Sequence, residues 1–411
     1  MPKVVFVTSG QPSANPRLAK EVAALSKLNC DITVVYAPIS IWADVYDKQL
    51  MNSYPHVQWI QAGYHQQKQK WLYLFARARQ KAFQILYKAL GNVHDAGIKS
   101  LVLFNQELWK KTRKLQADLY IGHNLGALPV VVKASKKYRG QAIFDFEDFH
   151  RGEDRKDSPH WNKVSDTESK YVQHLVLATA ASPLIAETYK SYFPNTRFFV
   201  INNCFPASYM LQQQPHLPAQ PLKLFWFSQT IGTNRGLENI ISAMGKLPKN
   251  VLQLILLGNI TTATKNQFTN LAAGCGLGEN QLVFLPTTTE QEIVNIASQC
   301  HIGLACEVPH ILNRELCLTN KVFMYLLAGN AILFSDTKAQ ADFLQENVGI
   351  GLLFKQDDPA QLALVLESYL HKPDMLQEQR KQALLLAKGK MNWEMESNKW
   401  IDIIKGTIFL N

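Results

Sequence analysis

The sequence predicts an α/β protein of two parallel-sheet units of similar size, and three observations carry that expectation. Short, near-continuous apolar runs alternate with helical patterns, as in sheets covered on both faces. The alternation breaks once, at a stretch rich in proline and glutamine, and then begins again. At 411 residues the chain is also too long for one ordinary core and suits two.

In the first unit, Val4–Thr8, Ile32–Tyr36, Leu119–Gly122, Ala142–Asp145, Leu175–Thr179 and Phe198–Ile201 read as strands. Helical stretches such as Arg17–Lys27 and Leu128–Lys137 lie between them. Within 65–114, Trp71, Leu74, Phe75 and Ala78, then Phe83, Leu86 and Leu90, recur at helical spacing. The stretch FPASYMLQQQPHLPAQP carries four prolines and three consecutive glutamines and reads as a linker. After it come the apolar runs Leu222–Phe227, Leu252–Leu257, Leu282–Leu285, Ile302–Ala305, Ala331–Phe334 and Gly351–Phe354. The expected boundaries are 1–205 for the first unit, 206–221 for the linker and 222–390 for the second. The helical end, 391–411, is expected to pack back on the first.

Composition narrows the function classes. Hydrophobic residues make up 47% and charged residues 18%, which suits a folded globular protein and argues against disorder. The six cysteines (Cys30, Cys204, Cys275, Cys300, Cys306, Cys317) show no CxxC pair and no zinc-ligand spacing, so they read as reduced core residues in a cytoplasmic protein. The opening MPKVVFVTSG runs straight into a strand, without the apolar region of a signal peptide. No apolar run approaches the roughly 18 residues a membrane span needs. The net charge of +10 is concentrated in the first half, and within 65–114 eleven basic residues face only Asp95 and Glu107. A basic amphipathic segment of this kind suits an anionic membrane surface, peripheral and on the inner face, or a phosphorylated acceptor; a solvated helix face is the plain alternative. It lacks a helix-turn-helix pattern, zinc ligands or an aromatic RNA-binding signature, so no nucleic-acid partner is expected.

Open parallel sheets place ligand crevices at the carboxyl ends of their strands, so the informative residues are those that follow a strand directly. After the first strand comes Ser9-Gly10-Gln11-Pro12-Ser13-Ala14-Asn15-Pro16-Arg17. Asn15 suits an N-cap, Pro16 the first helical position, Gly10 a close ligand approach, and Arg17 an anion at the helix start. No GxGxxG or Walker lysine is present, which removes the dinucleotide and P-loop readings. His123 and Asn124 follow the run Leu119–Gly122 directly. Asp145, Glu147, Asp148, His150 and Glu153 cluster beyond the next strand, interleaved with aromatics, and suit proton transfer or acceptor-hydroxyl binding; the alternative is a solvated acidic loop. In the second half, Arg235 stands where the loop after Leu222–Phe227 becomes a helix, placed to neutralise a phosphate. Between Glu307 and Gly329, Thr319 and Asn320 open a helix followed at once by Lys321, a convergence of N–H groups, hydroxyl, amide and cation that suits a diphosphate.

On these landmarks the chain resembles the GT-B glycosyltransferases, most closely the retaining branch called glycosyltransferase family 4. The matching segments are VFVTSGQPSANPRLAKEV, ADLYIGHN, IFDFED, ATAASPLIAETY, FWFSQTIGTNRGLENII and TNKVFMYLLAGNAILFSD, spread in order over nearly the whole chain. The resemblance implies two Rossmann-like domains facing each other across a cleft, acceptor-binding first and nucleotide-sugar-binding second. It implies a donor site drawn from Gly10, Ser228, Gln229, Arg235, Pro286, Glu307, Arg314, Glu315, Thr319, Asn320 and Lys321. Acceptor contacts are expected from Asn15, Arg17, His123 and Asn124, and catalytic roles from Glu147, Asp148, His150, Arg235 and Lys321. Arg235 stands where the family has a phosphate-binding lysine, and Glu147 near a family histidine. Gln229 replaces an arginine, and the two family glutamates correspond to Leu316, beside Glu315, and to Met324.

The activity so implied is transfer of a hexosyl group, with retention, from a nucleoside diphosphate sugar to a hydroxyl acceptor such as a glycan or lipid-linked saccharide. The nucleotide-sugar is the substrate, and no further cofactor or metal is expected; Asp357-Asp358-Pro359 reads as a helix cap rather than a metal motif. The alternatives are a non-catalytic nucleotide-sugar-binding homologue, a sugar-nucleotide epimerase on the same fold and, more distantly, a nucleic-acid-binding protein.

Overall fold

The computed structural model describes residues 1–408 and divides the chain into two units. The first contains residues up to Ile201, the short piece Ile311–Asn313 and the last helix from Ser397 on. The second contains Asn202–His310 and Arg314–Glu396.

In the first unit seven parallel strands form one sheet: β1 (Lys3–Thr8), β2 (Asp31–Tyr36), β3 (Gln58–Gln61), β4 (Leu119–His123), β5 (Gln141–Phe146), β6 (Leu177–Ala180) and β7 (Phe198–Val200). Their spatial order is β3-β2-β1-β4-β5-β6-β7. Every residue of β4 is buried, and so is all of β5 after Gln141. That is why these strands read as unbroken apolar runs rather than alternating ones. The chain leaves β1 in one direction along the sheet and returns to β4 on the other side, so the crevice lies where β1 and β4 part company, past Thr8 and His123.

The second unit repeats the scheme with six strands: β8 (Leu222–Thr230), β9 (Leu252–Asn259), β10 (Leu282–Leu285), β11 (Ile302–Ala305), β12 (Ala331–Ser335) and β13 (Gly351–Phe354). Their order is β10-β9-β8-β11-β12-β13, which puts the equivalent switch between β8 and β11. Leu224 and Trp226 pack into the core on one face of this sheet and Phe225 into the core on the other. The helix Asn320–Ala328 covers that second face, and its Tyr325 lies flat on Gly303. A Cβ at Gly303 would come within 2.2 Å of the ring, so only glycine lets the helix approach this closely. The Tyr325 hydroxyl then donates to the Leu304 carbonyl at 3.1 Å. Stretch 206–221 lies within this unit, where Leu217 is buried and the Pro218 carbonyl meets His301 Nε2 at 2.9 Å.

Candidate functional site

At the switch point of the second unit, the loop after β8 and the loop after β11 touch. Gly236 closes the first with a left-handed φ of 81°, and a Cβ there would lie 3.2 Å from Cys306 Cβ. Arg235 is thereby held half-buried at the start of the helix Leu237–Met244, close enough to Glu307 to act on its charge. Glu307 lies two residues past the end of β11; its backbone N–H donates to Ser335 Oγ at 3.1 Å. Its carboxylate bridges two cations, Lys321 Nζ at 3.1 Å and Arg314 Nη1 at 2.9 Å. Burial pushes the Glu307 carboxyl up, but Lys321, Arg314 and Arg235 outweigh it and hold the group below its ordinary range.

Lys321 belongs to the first turn of Asn320–Ala328, whose N-cap is Thr319. Its ammonium donates to Thr319 Oγ1 at 3.4 Å and sits 5.4 Å over the Trp226 ring. Three cations and a helix N-terminus thus gather around one carboxylate, a cluster of net positive charge that can receive a diphosphate. Glu315 turns elsewhere, accepting from the Lys338 backbone N–H at 3.0 Å. Ser228 is half-buried near the end of β8, whereas Gln229 and Pro286 are exposed. Leu316 is buried, and Met324, 1% exposed, is packed in the apolar core of the sheet's second face, so neither position presents a polar group. Asp358 caps the helix Pro359–His371, accepting from the N–H groups of Ala360 and Gln361.

In the first unit the loops after β1 and β4 also touch: Gly10 N–H donates to Thr8 Oγ1 at 3.2 Å, and Thr8 Oγ1 donates to Asn124 Oδ1 at 2.7 Å. Asn124 is held at φ 59°, and its side-chain amide donates to Glu147 Oε1. Burial first, then the neighbouring Asp148 and Asp145, raise the Glu147 carboxyl to about 7, the range a general acid or base needs at neutral pH. His150 is buried with Nδ1 2.8 Å from Glu153, and that carboxylate raises it to about 9 against the effect of burial. Asn15 caps its helix through Leu18 N–H.

Arg17 and His123 point into the core instead. Arg17 grips Asp145 with two 2.6 Å bonds and donates a third to the Ile201 carbonyl, all fully buried. His123 Nε2 lies 3.0 Å from Glu21, and its Nδ1 3.5 Å from Asp145. Between two carboxylates His123 is raised to about 10 despite burial, which favours its protonated form. Glu21, His123 and Asp145 bring donor atoms within 4.8 Å of one another, a spacing suited to a metal ion. The Arg17 guanidinium already takes both Asp145 oxygens, and that argues for a self-neutralising ion network holding the first helix to β4 and β5. Glu21 escaped the sequence reading. The signal was a carboxylate on the core-facing stripe Arg17, Leu18, Glu21, Val22 and Leu25.

Two sheets of this strand order, each with polar loops at its switch point, have the GT-B fold. Among solved structures, the chain is similar to HepE of Anabaena in complex with UDP, at 14% identity and a TM-score of 0.68, over 99% of this chain and 100% of that one. It is also similar to sucrose-phosphate synthase of Thermosynechococcus elongatus, at 13% identity and 0.70, covering both chains fully. The α,α-trehalose 6-phosphate synthase of Burkholderia multivorans matches at 13% identity and 0.67, over 99% of this chain and 97% of its own. No protein-family profile and no curated protein sequence matches the chain.

Proposed function

We propose that the protein is a glycosyltransferase that uses a nucleoside diphosphate sugar. The observation that carries the reading is the Lys321–Glu307–Arg314 cluster at the start of the helix Asn320–Ala328, with Arg235 beside it. It lies at the switch point of a fold shared with HepE, whose solved complexes contain UDP and UDP-glucose. In this reading the bond from the anomeric carbon to the diphosphate breaks as the acceptor oxygen bonds to that carbon from the same face, so configuration is retained. The acceptor proton passes to a donor phosphate oxygen. Lys321, Arg235 and the helix N-terminus take up charge on the departing diphosphate, and Glu147, Asp148 or His150 orients the acceptor.

The expected acceptor is a glycan or lipid-linked saccharide of polysaccharide synthesis, met at the cytoplasmic face of a membrane through segment 65–114. The place of the chain within glycosyltransferase family 4, the hexosyl group and independence of metal belong to the same proposal. Thermal unfolding against a panel of nucleoside diphosphates and their sugars tests it. A ligand at 100 times its dissociation constant adds about 2.7 kcal/mol, and a selective shift identifies the base. No shift with any of them removes the donor site.

The burial of Leu316 and the apolar surroundings of Met324 favour one second reading, a chain that binds nucleotide-sugar without transferring it. Stabilisation by the donor with no nucleoside diphosphate released in the presence of acceptors would select it.

A further inference from the structure

The helix Lys70–Leu90 has 21 residues, and Ala76 is its one fully buried side chain. Tyr73, Ala76, Gln80, Phe83 and Tyr87 form its inward face. On the opposite side Trp71, Phe75, Ala78, Ala82, Ile85 and Ala89 recur at alternating spacings of four and three, all exposed. At 3.6 residues per turn they fall within an arc of about 80°. This second stripe carries no charge, yet Trp71 is 82% exposed, Phe75 63% and Ile85 65%. Beside it runs a row containing Lys70, Arg77, Lys81 and Lys88.

A neighbouring segment is likewise rich in exposed apolar side chains. His65, just before the helix, lies 2.9 Å from Asp44, and Ala37, Ala76 and Phe104 share one small core. That brings residues 39–46 alongside the start of the helix, where Trp42 (55% exposed), Val45 and Tyr46 add to the apolar surface. Among the described residues, twelve of the twenty large apolar side chains exposed to solvent lie between Ile39 and Val93. Scattered exposure needs no explanation, but a concentration of this kind marks a surface that meets something apolar.

We infer that this surface inserts into the interfacial region of an anionic lipid bilayer, with Trp42, Trp71 and Phe75 in the acyl boundary and the Lys70–Lys88 row among the headgroups. It deepens the membrane contact of the proposed function by adding residues 39–46 and a hydrophobic term that the basic segment alone does not supply. The four-three spacing would also suit a second helix, but a second copy would bring a second cationic row against the first, and lipid phosphate answers that charge. The aromatics gathered at one end of the stripe suit the boundary between water and hydrocarbon. On the same unit a cavity of about 290 Å³ is lined by Lys99, Lys110, Arg113 and Lys133, the last paired with Asp95. No helix among the described residues is long and apolar enough to cross a membrane, so the contact lies in the plane of one leaflet.

The test uses the full chain with phosphatidylcholine–phosphatidylglycerol vesicles and with phosphatidylcholine alone. Co-flotation with the anionic vesicles is expected, with tryptophan emission quenched by lipids brominated on the acyl chain. That quenching should fall in Trp42→Phe and in Trp71→Phe. Trp71→Ser combined with Phe75→Ser should weaken binding at least tenfold, about 1.4 kcal/mol, while leaving stabilisation by nucleoside diphosphates unchanged. Flotation without quenching would reduce the surface to a charge contact and overturn insertion, as would no flotation at all. A dimer that the double substitution abolishes would assign the stripe to a second copy. Failure of nucleotide binding with insertion intact would remove the transferase reading and leave this one standing.

Discussion

The Glu147 carboxyl offers a prediction in which pH, structure and stability are tied together. Held at about 7 in the folded chain against an ordinary 4.5, it binds its proton more tightly folded than unfolded. Stability from the protonated form is therefore complete below about pH 4.5, declines as pH rises towards 7 and is flat above it. The full difference corresponds to about 3 kcal/mol at about 1.4 kcal/mol per pH unit; partial contact with solvent brings the expected effect to about 2. Glu147→Gln stays neutral at every pH and keeps an oxygen for the Asn124 amide. Urea unfolding of both proteins from about pH 5 to about pH 8, followed by circular dichroism, should show the variant gaining on the wild type by about 2 kcal/mol. Taking the difference cancels the other titrating groups. Parallel pH profiles, or a wild type that gains as pH rises, would refute a carboxyl destabilised by burial and by Asp148 and Asp145.

Other expectations follow from the same geometry. Lys321→Ala should lower sugar transfer by about 10² or more and abolish stabilisation by nucleoside diphosphates; unchanged turnover with a confirmed donor would displace Lys321 from the site. Arg17→Ala strips Asp145 of two buried bonds and should cost about 3–5 kcal/mol in chemical denaturation, whereas a loss below about 1 kcal/mol would mean the network is not structural. Gly303→Ala forces a methyl against the Tyr325 ring and should destabilise by about 1–3 kcal/mol. Because Tyr325 shares its helix with Lys321, nucleotide binding should weaken in the same variant, measured by titration calorimetry.

The sequence made the strand order's raw material plain and hid the direction in which individual side chains point. Twelve of the thirteen strands were expected from apolar runs; β3 was not, because Gln58-Trp59-Ile60-Gln61 is a short edge strand with no fully buried residue. Residues after β8 and β11 were legible as site candidates since a strand's carboxyl end is a fixed place in this fold. His123 and Arg17 were located equally well but face inward, and no alternation in β4 could reveal it, every residue there being buried. The helix Lys70–Leu90 presents the same ambiguity in another form. Trp71, Phe75 and Ala78 share one periodic reading with Phe83, yet the structure exposes the first three and turns Phe83 to the inward face. Two apolar stripes on one helix carry no mark of which is covered. The packing of Phe83 on its neighbours decides that, and packing is a tertiary fact.

The division of the chain sets an order of events during synthesis. The first unit lacks the helical residues from Ser397 on until the second unit has been made, although residues up to Ile201 precede that unit. Trp400 and Ile404, each 1% exposed in the finished protein, have their seats waiting on that unit while the whole second unit is made. The second unit is continuous apart from three residues, and its sheet, Leu222–Phe354, is made in full before Trp400. The half that begins first is thus completed last, and a chain stopped short of Trp400 would leave its earliest-made portion open, however well the later portion had folded.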